Sequence, residues 1–244
     1  MKFLTGESLK IQRGNKLILK EGTLNLESGT FYYLAGASGA GKSTLLWTLA
    51  RLHPLEAGEL RLNGQRHNDI AITRWRAEIA LLPQKPVIIS GTVTDNLLYP
   101  LQTFRTQKER LHERHESLPN AQALQQALDS VGLHEIPLER EAASLSGGQQ
   151  ARLALIRLLL TKPQLMLADE PTAGVDAAAV ELIFNRLARF CELGGTVLFT
   201  SHNHQFRGAK TFTLQDSQLT SKDAQDKSWT PNGSGVQDLS WTLL

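Results

Sequence analysis

Residues 36–44 read Gly36-Ala37-Ser38-Gly39-Ala40-Gly41-Lys42-Ser43-Thr44. They follow a compact apolar run, residues 31–35, and precede leucines at helical spacing: Leu45, Leu46, Leu49 and Leu52. This order of strand, glycine-rich loop and helix fits the phosphate-binding pattern G-x-x-x-x-G-K-[ST]. Glycines let backbone N–H groups turn toward a phosphate chain, and the helix N-terminus adds partial positive charge. Residues 36–44, the phosphate loop, therefore predict a nucleotide site with Lys42 on the β and γ phosphates and Ser43 on Mg²⁺.

A second apolar run, beginning at residue 164, ends in two carboxylates, Asp169 and Glu170. A buried parallel strand would deliver both to the same sheet edge as the phosphate loop. There Asp169 is placed to hold Mg²⁺ through water, and Glu170 to polarise an attacking water. Acidic residues also cap helices after strands, so this prediction depends on the pairing with the phosphate loop.

Another glycine-rich segment reads Leu145-Ser146-Gly147-Gly148-Gln149 and precedes a periodic stretch, residues 150–160. It again combines glycines and a hydroxyl at a predicted helix N-terminus, which is a second phosphate-binding device. A chain with one nucleotide site would not need both, so the redundancy has to be explained.

With this segment, the chain resembles the ABC ATPase family from about residue 8 to about residue 220, since Leu-Ser-Gly-Gly-Gln is that family's signature. Further family elements occur in the same order: Gln84 matches the Q-loop, Asp176 the D-loop and His202 the switch histidine. The resemblance implies an ATPase that uses ATP and Mg²⁺.

The resemblance also explains the second glycine segment. Family members pack head to tail as dimers, so ATP bound to one phosphate loop is completed by the partner's signature residues, here Ser146, Gly147, Gly148 and Gln149, with Asp176 nearby. By the same analogy, His202 contacts the γ-phosphate and keeps Glu170 and its water aligned. Gln84 ligates Mg²⁺ and reports the nucleotide to a helical lobe.

The chain departs from the family pattern at three places. Arg13, beside Gln12, stands where the family commonly has an aromatic residue that stacks on adenine. A guanidinium plane can also stack on a base, which predicts looser base selectivity. The residues after the signature, 150–152, read Gln-Ala-Arg, and the D-loop, residues 173–176, lacks the usual Ser-Ala-Leu lead.

The predicted fold is α/β: a P-loop cassette with a mixed central sheet, an antiparallel β subdomain and an α-helical subdomain. Alternating leucines and isoleucines over residues 9–26 predict short antiparallel strands. We expect a single domain with a catalytic lobe over about 1–88 and 144–220, a helical lobe over about 89–143, and a polar tail over about 221–244. The apolar residues of that tail could dock on a neighbour or fray: Val236, Leu239, Trp241 and Leu244.

A separate transmembrane permease is the expected partner, and the helical lobe is where the resemblance places its coupling helix. A set of apolar residues could line that groove or belong to the core: Val87, Ile88, Ile89, Leu97, Leu98 and Tyr99. Residues 87–97 look more like exporter cassettes, and with the compact length they are similar to ATPases of putative bacterial iron exporters. An importer motor, or a non-transport ABC ATPase acting in repair or translation, is the alternative.

Composition narrows the class of protein further. The net charge of +2, from 26 basic and 24 acidic residues, comes without a long basic block, so nucleic acid is not an expected partner. No apolar run approaches the roughly 20 residues that span a bilayer. We therefore expect a cytoplasmic chain held on the inner membrane's cytoplasmic face by its permease.

The single cysteine and two neighbouring histidines are expected to be structural. We interpret Cys191 as a small buried hydrophobic residue. We interpret His112 and His115 as solvated helix residues rather than as a metal site.

Overall fold

The computed structural model describes residues 2–201 and 208–222. A four-stranded antiparallel sheet contains β1 (Lys2–Arg13), β2 (Lys16–Glu27), β4 (Ala57–Leu62) and β5 (Gln65–Arg66), in the order β2-β1-β4-β5. The alternation predicted from the sequence buries Leu9, Ile11 and Leu24 completely. The strands are longer than predicted, because β1 and β2 form one continuous hairpin that passes through several register shifts.

The second sheet has six strands in the order β10-β9-β3-β8-β7-β6. Its members are β3 (Phe31–Ala35), β6 (Ile79–Leu82), β7 (Leu165–Asp169), β8 (Thr196–Thr200), β9 (Lys210–Gln215) and β10 (Gln218–Lys222). All neighbours are parallel except β10, which is antiparallel to β9 and extends two residues into the predicted tail. The carboxyl ends of β3, β6 and β7 consequently meet at one edge of the sheet.

The helices are α1 (Lys42–Leu49), α2 (Ile72–Glu78), α3 (Val93–Thr103), α4 (Arg105–Glu113), α5 (Ala121–Asp129), α6 (Gly147–Leu160) and α7 (Ala177–Glu192). Asn120 caps α5, since its side chain accepts a 2.9 Å hydrogen bond from the Ala123 N–H. Gly194, with φ 93°, follows the end of α7. Helices α3, α4 and α5 fall inside the range predicted as a helical lobe.

Two apolar cores cover the two faces of the six-stranded sheet. Leu165 and Leu167 face the antiparallel sheet and α1, whereas Met166 and Ala168 face α3, α5, α6 and α7. Strand β7 is buried along its whole length, which explains why its sequence is continuously apolar rather than alternating. Both faces being covered fixes the position of Asp169 at the end of this strand.

The apolar residues expected either in a groove or in the core include both buried and exposed side chains. Leu97 is fully buried and Leu98 nearly so, whereas Val87 is 65% exposed and Tyr99 38%. Cys191 is buried as predicted, and burial raises the pKa of its thiol to about 12. Over the described ranges, no helix combines the length and apolar character needed to cross a membrane.

Candidate active site

The phosphate loop joins β3 to α1 along a path that needs glycine at two points. Gly41 has φ 104°, and a Cβ there would lie 2.4 Å from Ile18 Cγ2. A Cβ on Gly36 would lie 2.6 Å from the carbonyl oxygen of Leu214. The loop is therefore wedged between β2 and β9, and only residues without a side chain allow this approach.

Lys42 begins α1 and is almost completely buried. Its Nζ donates hydrogen bonds to the carbonyl oxygens of Gly36 at 2.8 Å and Ala37 at 3.1 Å, which holds the ammonium group across the phosphate loop. A phosphate oxygen can take the place of either carbonyl and would form a stronger, charge-assisted bond. Ser43 follows on the first turn of α1, half-buried at the same loop.

Asp169 and Glu170 stand at the end of β7, next to Thr200 at the end of β8. The Thr200 hydroxyl donates to Asp169 Oδ1 at 2.8 Å and accepts from the Glu170 N–H at 3.0 Å. Glu170 has φ 52°, a left-handed conformation that is uncommon outside glycine. One buried hydroxyl thus ties both carboxylate positions to the neighbouring strand.

Gln84 follows β6 and reaches across to Glu170. Its Nε2 donates a 2.8 Å hydrogen bond to Glu170 Oε2. Because β6 and β7 are adjacent, the structure brings Gln84, Asp169 and Glu170 together. The phosphate loop leaves β3 two strands from β7, about 10 Å away at the usual strand spacing.

The signature segment begins α6. The Ser146 hydroxyl accepts from the Gln149 N–H at 3.3 Å, and the Gln149 side chain accepts from the Ser146 N–H at 2.9 Å, which forms a capping box. Ser146 and Gly147 are exposed, and a Cβ on Gly147 would meet no atom of the described residues within 4 Å. This helix N-terminus therefore presents an open surface.

A family model described as "ABC transporter" matches residues 19–173. The chain belongs to the ABC transporter family. The phosphonates import ATP-binding protein PhnC of Trichormus variabilis is 35% identical over 193 residues, which cover 78% of this chain and 77% of that protein. The glutathione/L-cysteine transport system ATP-binding/permease protein CydD of Haemophilus influenzae is also 35% identical, over 68% of this chain but only 27% of its own length.

Solved structures confirm the fold of the cassette. An ATP-binding subunit of an ABC transporter superposes with a TM-score of 0.75 at 22% identity, over 91% of this chain and 90% of that one. A bacterial Atm1-family ABC exporter with ATP bound gives 0.76 at 20% identity, over 90% of this chain and 38% of the exporter. As a member of this family, the cassette is an ATP-binding and ATP-hydrolysing transporter ATPase.

The other site residues predicted for the cassette lie at the D-loop, in the signature helix and at the end of β1, or outside the described residues. Asp176 caps α7, where its carboxylate accepts a 3.0 Å bond from the Ala179 N–H, and this bond lowers the pKa of Asp176. A Cβ on Gly148 would lie 3.4 Å from the Gly174 carbonyl oxygen, so the signature helix lies against the D-loop. Arg13 is exposed at the end of β1. His202 lies outside the described residues.

Sequence reasoning missed several residues around the cassette's site. The sequence marks Thr200 only as the end of the apolar run over residues 196–200, although its hydroxyl bonds at both carboxylate positions. Arg157 on α6 donates to the Val87 carbonyl oxygen at 2.6 Å and to Asn96 Oδ1 at 3.3 Å. These bonds connect the signature helix to the segment after Gln84, which spacing along the chain does not reveal.

Proposed function

We propose that two copies of the cassette enclose two Mg·ATP molecules head to tail and drive a separate transmembrane permease. The observation that carries this proposal is the open N-terminus of α6, where Ser146 and Gly147 are exposed with glycine N–H groups available to an anion. Such a surface at the end of a helix suits the γ-phosphate of a nucleotide held by another copy. ATP then acts as the contact between the two cassettes.

The residues at the edge of the six-stranded sheet suit Mg²⁺. The candidate ligands are the Ser43 hydroxyl and the Gln84 amide oxygen, and the Asp169 carboxylate would hold the ion through water; all three are hard oxygen donors of the kind that Mg²⁺ prefers. Because Gln84 donates its Nε2 to Glu170, its Oε1 is the atom that can face a cation. When bound there, Mg²⁺ supplies charge neutralisation for the β and γ phosphates.

The protein's own groups do the remaining work. Lys42 and the N–H groups of the phosphate loop orient the phosphates, and Glu170 accepts a proton from the attacking water. The bond from Gln84 holds one oxygen of Glu170, so the carboxylate keeps a fixed direction. His202 completes this arrangement as the contact to the γ-phosphate, and Arg13 takes the base.

Glu170→Gln tests the assignment of the base. The variant keeps the size and polarity of the side chain but cannot accept the proton, so we expect ATP hydrolysis to fall by about 100-fold or more while Mg·ATP still binds. Glu135→Gln, at an exposed position remote in the chain, should hydrolyse ATP at the wild-type rate. Undiminished turnover in Glu170→Gln would refute the role of Glu170.

We propose that the transport step is export and that iron is a candidate cargo. The cassette would act at the cytoplasmic face of the inner membrane. The exporter-like segment over residues 87–97 and the matches to fused ATP-binding/permease proteins support it. Import is the competitor, because a phosphonates import ATP-binding protein matches over most of both chains.

Inside-out vesicles that contain the cassette and its permease distinguish these directions. Export predicts ATP-driven accumulation of radioactive Fe²⁺ in the vesicles, whereas import predicts ATP-driven loss of preloaded substrate. If the permease changes the rate of ATP hydrolysis but Fe²⁺ moves in neither direction, iron is not the cargo. The role of the cassette as the motor of a transporter would still be supported.

A further inference from the structure

A cavity of about 920 Å³ lies at the edge of the six-stranded sheet opposite to the edge that carries Asp169 and Glu170. Its lining includes Gln164, which directly precedes β7, and Gly195, which directly precedes β8. Strand β7 has five residues at about 3.3 Å each, so roughly 15 Å separates this cavity from the two carboxylates. The cavity is therefore not part of the nucleotide site.

The walls of the cavity come from the ranges expected to form the two lobes. Residues 115–120, between α4 and α5, form one wall, and the end of α6 and one face of α7 form the other. The lining residues on α7 and directly after it are Arg186, Arg189, Phe190 and Leu193. Their spacing of three and four residues places them on one face of the helix. We call this space the lobe cavity, since an occupant contacts both ranges.

Positive charge is concentrated in the lining of the lobe cavity. Lys162, Arg186 and Arg189 line it, whereas Glu116 is the one carboxylate among the described lining residues. Glu116 Oε1 lies 2.7 Å from Lys162 Nζ, so this lining already holds one carboxylate on a cation. Arg189 pairs at 2.9 Å with Glu192, which does not line the cavity. Three cations against one carboxylate favour an anionic occupant.

Arg186 is the buried member of this group of cations. It is only 8% exposed, and burial, followed by the nearby charge of Arg189, lowers the pKa of Arg186 to about 10. The guanidinium is therefore still charged at neutral pH, and an anion beside it would offset the cost of burying that charge. The planar fork of an arginine matches the two oxygens of a carboxylate.

The rest of the lining is mainly apolar. Leu118 on one wall is 40% exposed and Leu193 on the other is 55% exposed. Leu111, Leu159 and Phe190 add further apolar surface. Apolar walls with a few polar groups, around a volume of about 300–1,000 Å³, are typical of small-molecule sites. A cavity of this size has room for an apolar body in addition to an anionic head.

We propose that the lobe cavity binds an amphipathic anion, a molecule with an apolar chain and one carboxylate head. The head lies against Arg186 and Arg189, and the chain lies against the leucines of the two walls. This inference goes beyond the proposed function and does not depend on the nucleotide site. The ligand connects the segment between α4 and α5 to α7, and so it holds one lobe against the other.

Laurate, used below the concentration at which it forms micelles, is the probe, and calorimetry on the full chain is the measurement. We expect saturable binding of one laurate per chain. Acetate has the head alone, and dodecyltrimethylammonium has a chain of the same length on a cationic head, so neither should bind measurably at the same concentrations. Absence of laurate binding, or equal binding of laurate and dodecyltrimethylammonium, would overturn the proposal.

Variants of the lining change the affinity for laurate in opposite directions. Arg189→Gln should weaken binding by about 5- to 10-fold, because a charge-assisted bond is lost. Leu118→Asp should weaken it by about tenfold or more, because it puts a charge on the apolar wall. Glu116→Gln should strengthen it several-fold, because it removes a like charge. Unchanged affinity in all three variants would show that laurate binds elsewhere. Arg186 is left intact, since replacing a buried arginine can also disturb folding.

Matched controls come from residues outside the described lining. Arg105→Gln removes an exposed arginine on α4, and Ile72→Asp adds a carboxylate at an apolar residue that is 43% exposed. Both should bind laurate as the wild type does. Lys42→Ala should also bind it normally, and a loss there would place laurate on the phosphate loop and overturn the proposal. Normal binding of Mg·ATP without binding of laurate would refute the lobe cavity site and leave the proposed function intact.

Discussion

Thr200 shows how much a single hydroxyl can control at this site. It is completely buried at the end of β8, donates to Asp169 and accepts from the backbone of Glu170. The second bond holds Glu170 in its left-handed conformation, which costs on the order of 1 kcal/mol or more for a residue with a side chain. Thr200 is therefore a positioning residue for both carboxylates.

Thr200→Val keeps the shape of the side chain and removes both bonds. We expect kcat for ATP hydrolysis to fall about tenfold, which corresponds to about 1.4 kcal/mol, with little change in KM for ATP. Thr196→Val is the matched control, because Thr196 is equally buried on the same strand but bonds to the Glu27 carbonyl oxygen instead. Equal kcat values for the two variants would contradict the role of Thr200.

At the level of elements, Arg110 on α4 joins three helices through one buried guanidinium. It donates to the Ala77 carbonyl oxygen near the end of α2 at 2.6 Å and to the carbonyl oxygens of Thr161 and Lys162 after α6 at 3.2 and 2.9 Å. It also pairs with buried Glu78 at 3.1 Å. Burial lowers the pKa of Arg110 to about 10, so the side chain stays charged at neutral pH.

Arg110→Met should lower the free energy of unfolding by about 2–4 kcal/mol, because the carbonyl oxygens at the ends of α2 and α6 lose their buried donor and Glu78 keeps only the pair with Arg74 at 3.1 Å among its ion pairs. Urea unfolding measures the change. Arg105→Met, on the same helix with a side chain 91% exposed, should shift stability by no more than about 0.5 kcal/mol. A similar small shift for Arg110→Met would show that its contacts are dispensable.

At the scale of the whole molecule, the proposed head-to-tail dimer predicts that nucleotide changes the sedimentation of the cassette. The Glu170→Gln cassette should sediment as a monomer alone and as a dimer with saturating Mg·ATP. Adding Gly147→Arg should keep it monomeric, since a Cβ at Gly147 has no described atom within 4 Å and the arginine beyond it would block a partner's nucleotide. The double variant should still bind one Mg·ATP per chain.

Ala121→Arg provides the control, because Ala121 is likewise the exposed first residue of a helix. That variant should dimerise normally in the Glu170→Gln background. Dimers of the Gly147→Arg protein would place the interface elsewhere.

The sequence alone determined those features that a short run of consecutive residues displays. The glycines of the phosphate loop and the continuous apolar run of β7 are such patterns, although the contacts that require them, such as that of Gly41 with Ile18, are tertiary. The α/β class and the position of Asp169 and Glu170 at the end of a buried strand were predictable on that basis. The length of β1 and β2 was not, because register shifts absorb the residues that break their alternation.

Only the tertiary structure decided the pairings between distant parts of the chain. Gln84 meets Glu170, Thr200 meets Asp169, and Arg13 meets Trp47, across separations that no periodic pattern reports. These contacts depend on which strands are neighbours in the sheet and on how a hairpin packs against a helix. The order of the strands and the packing of the hairpin are determined by the requirement that both apolar cores be buried at once. They are therefore properties of the whole fold.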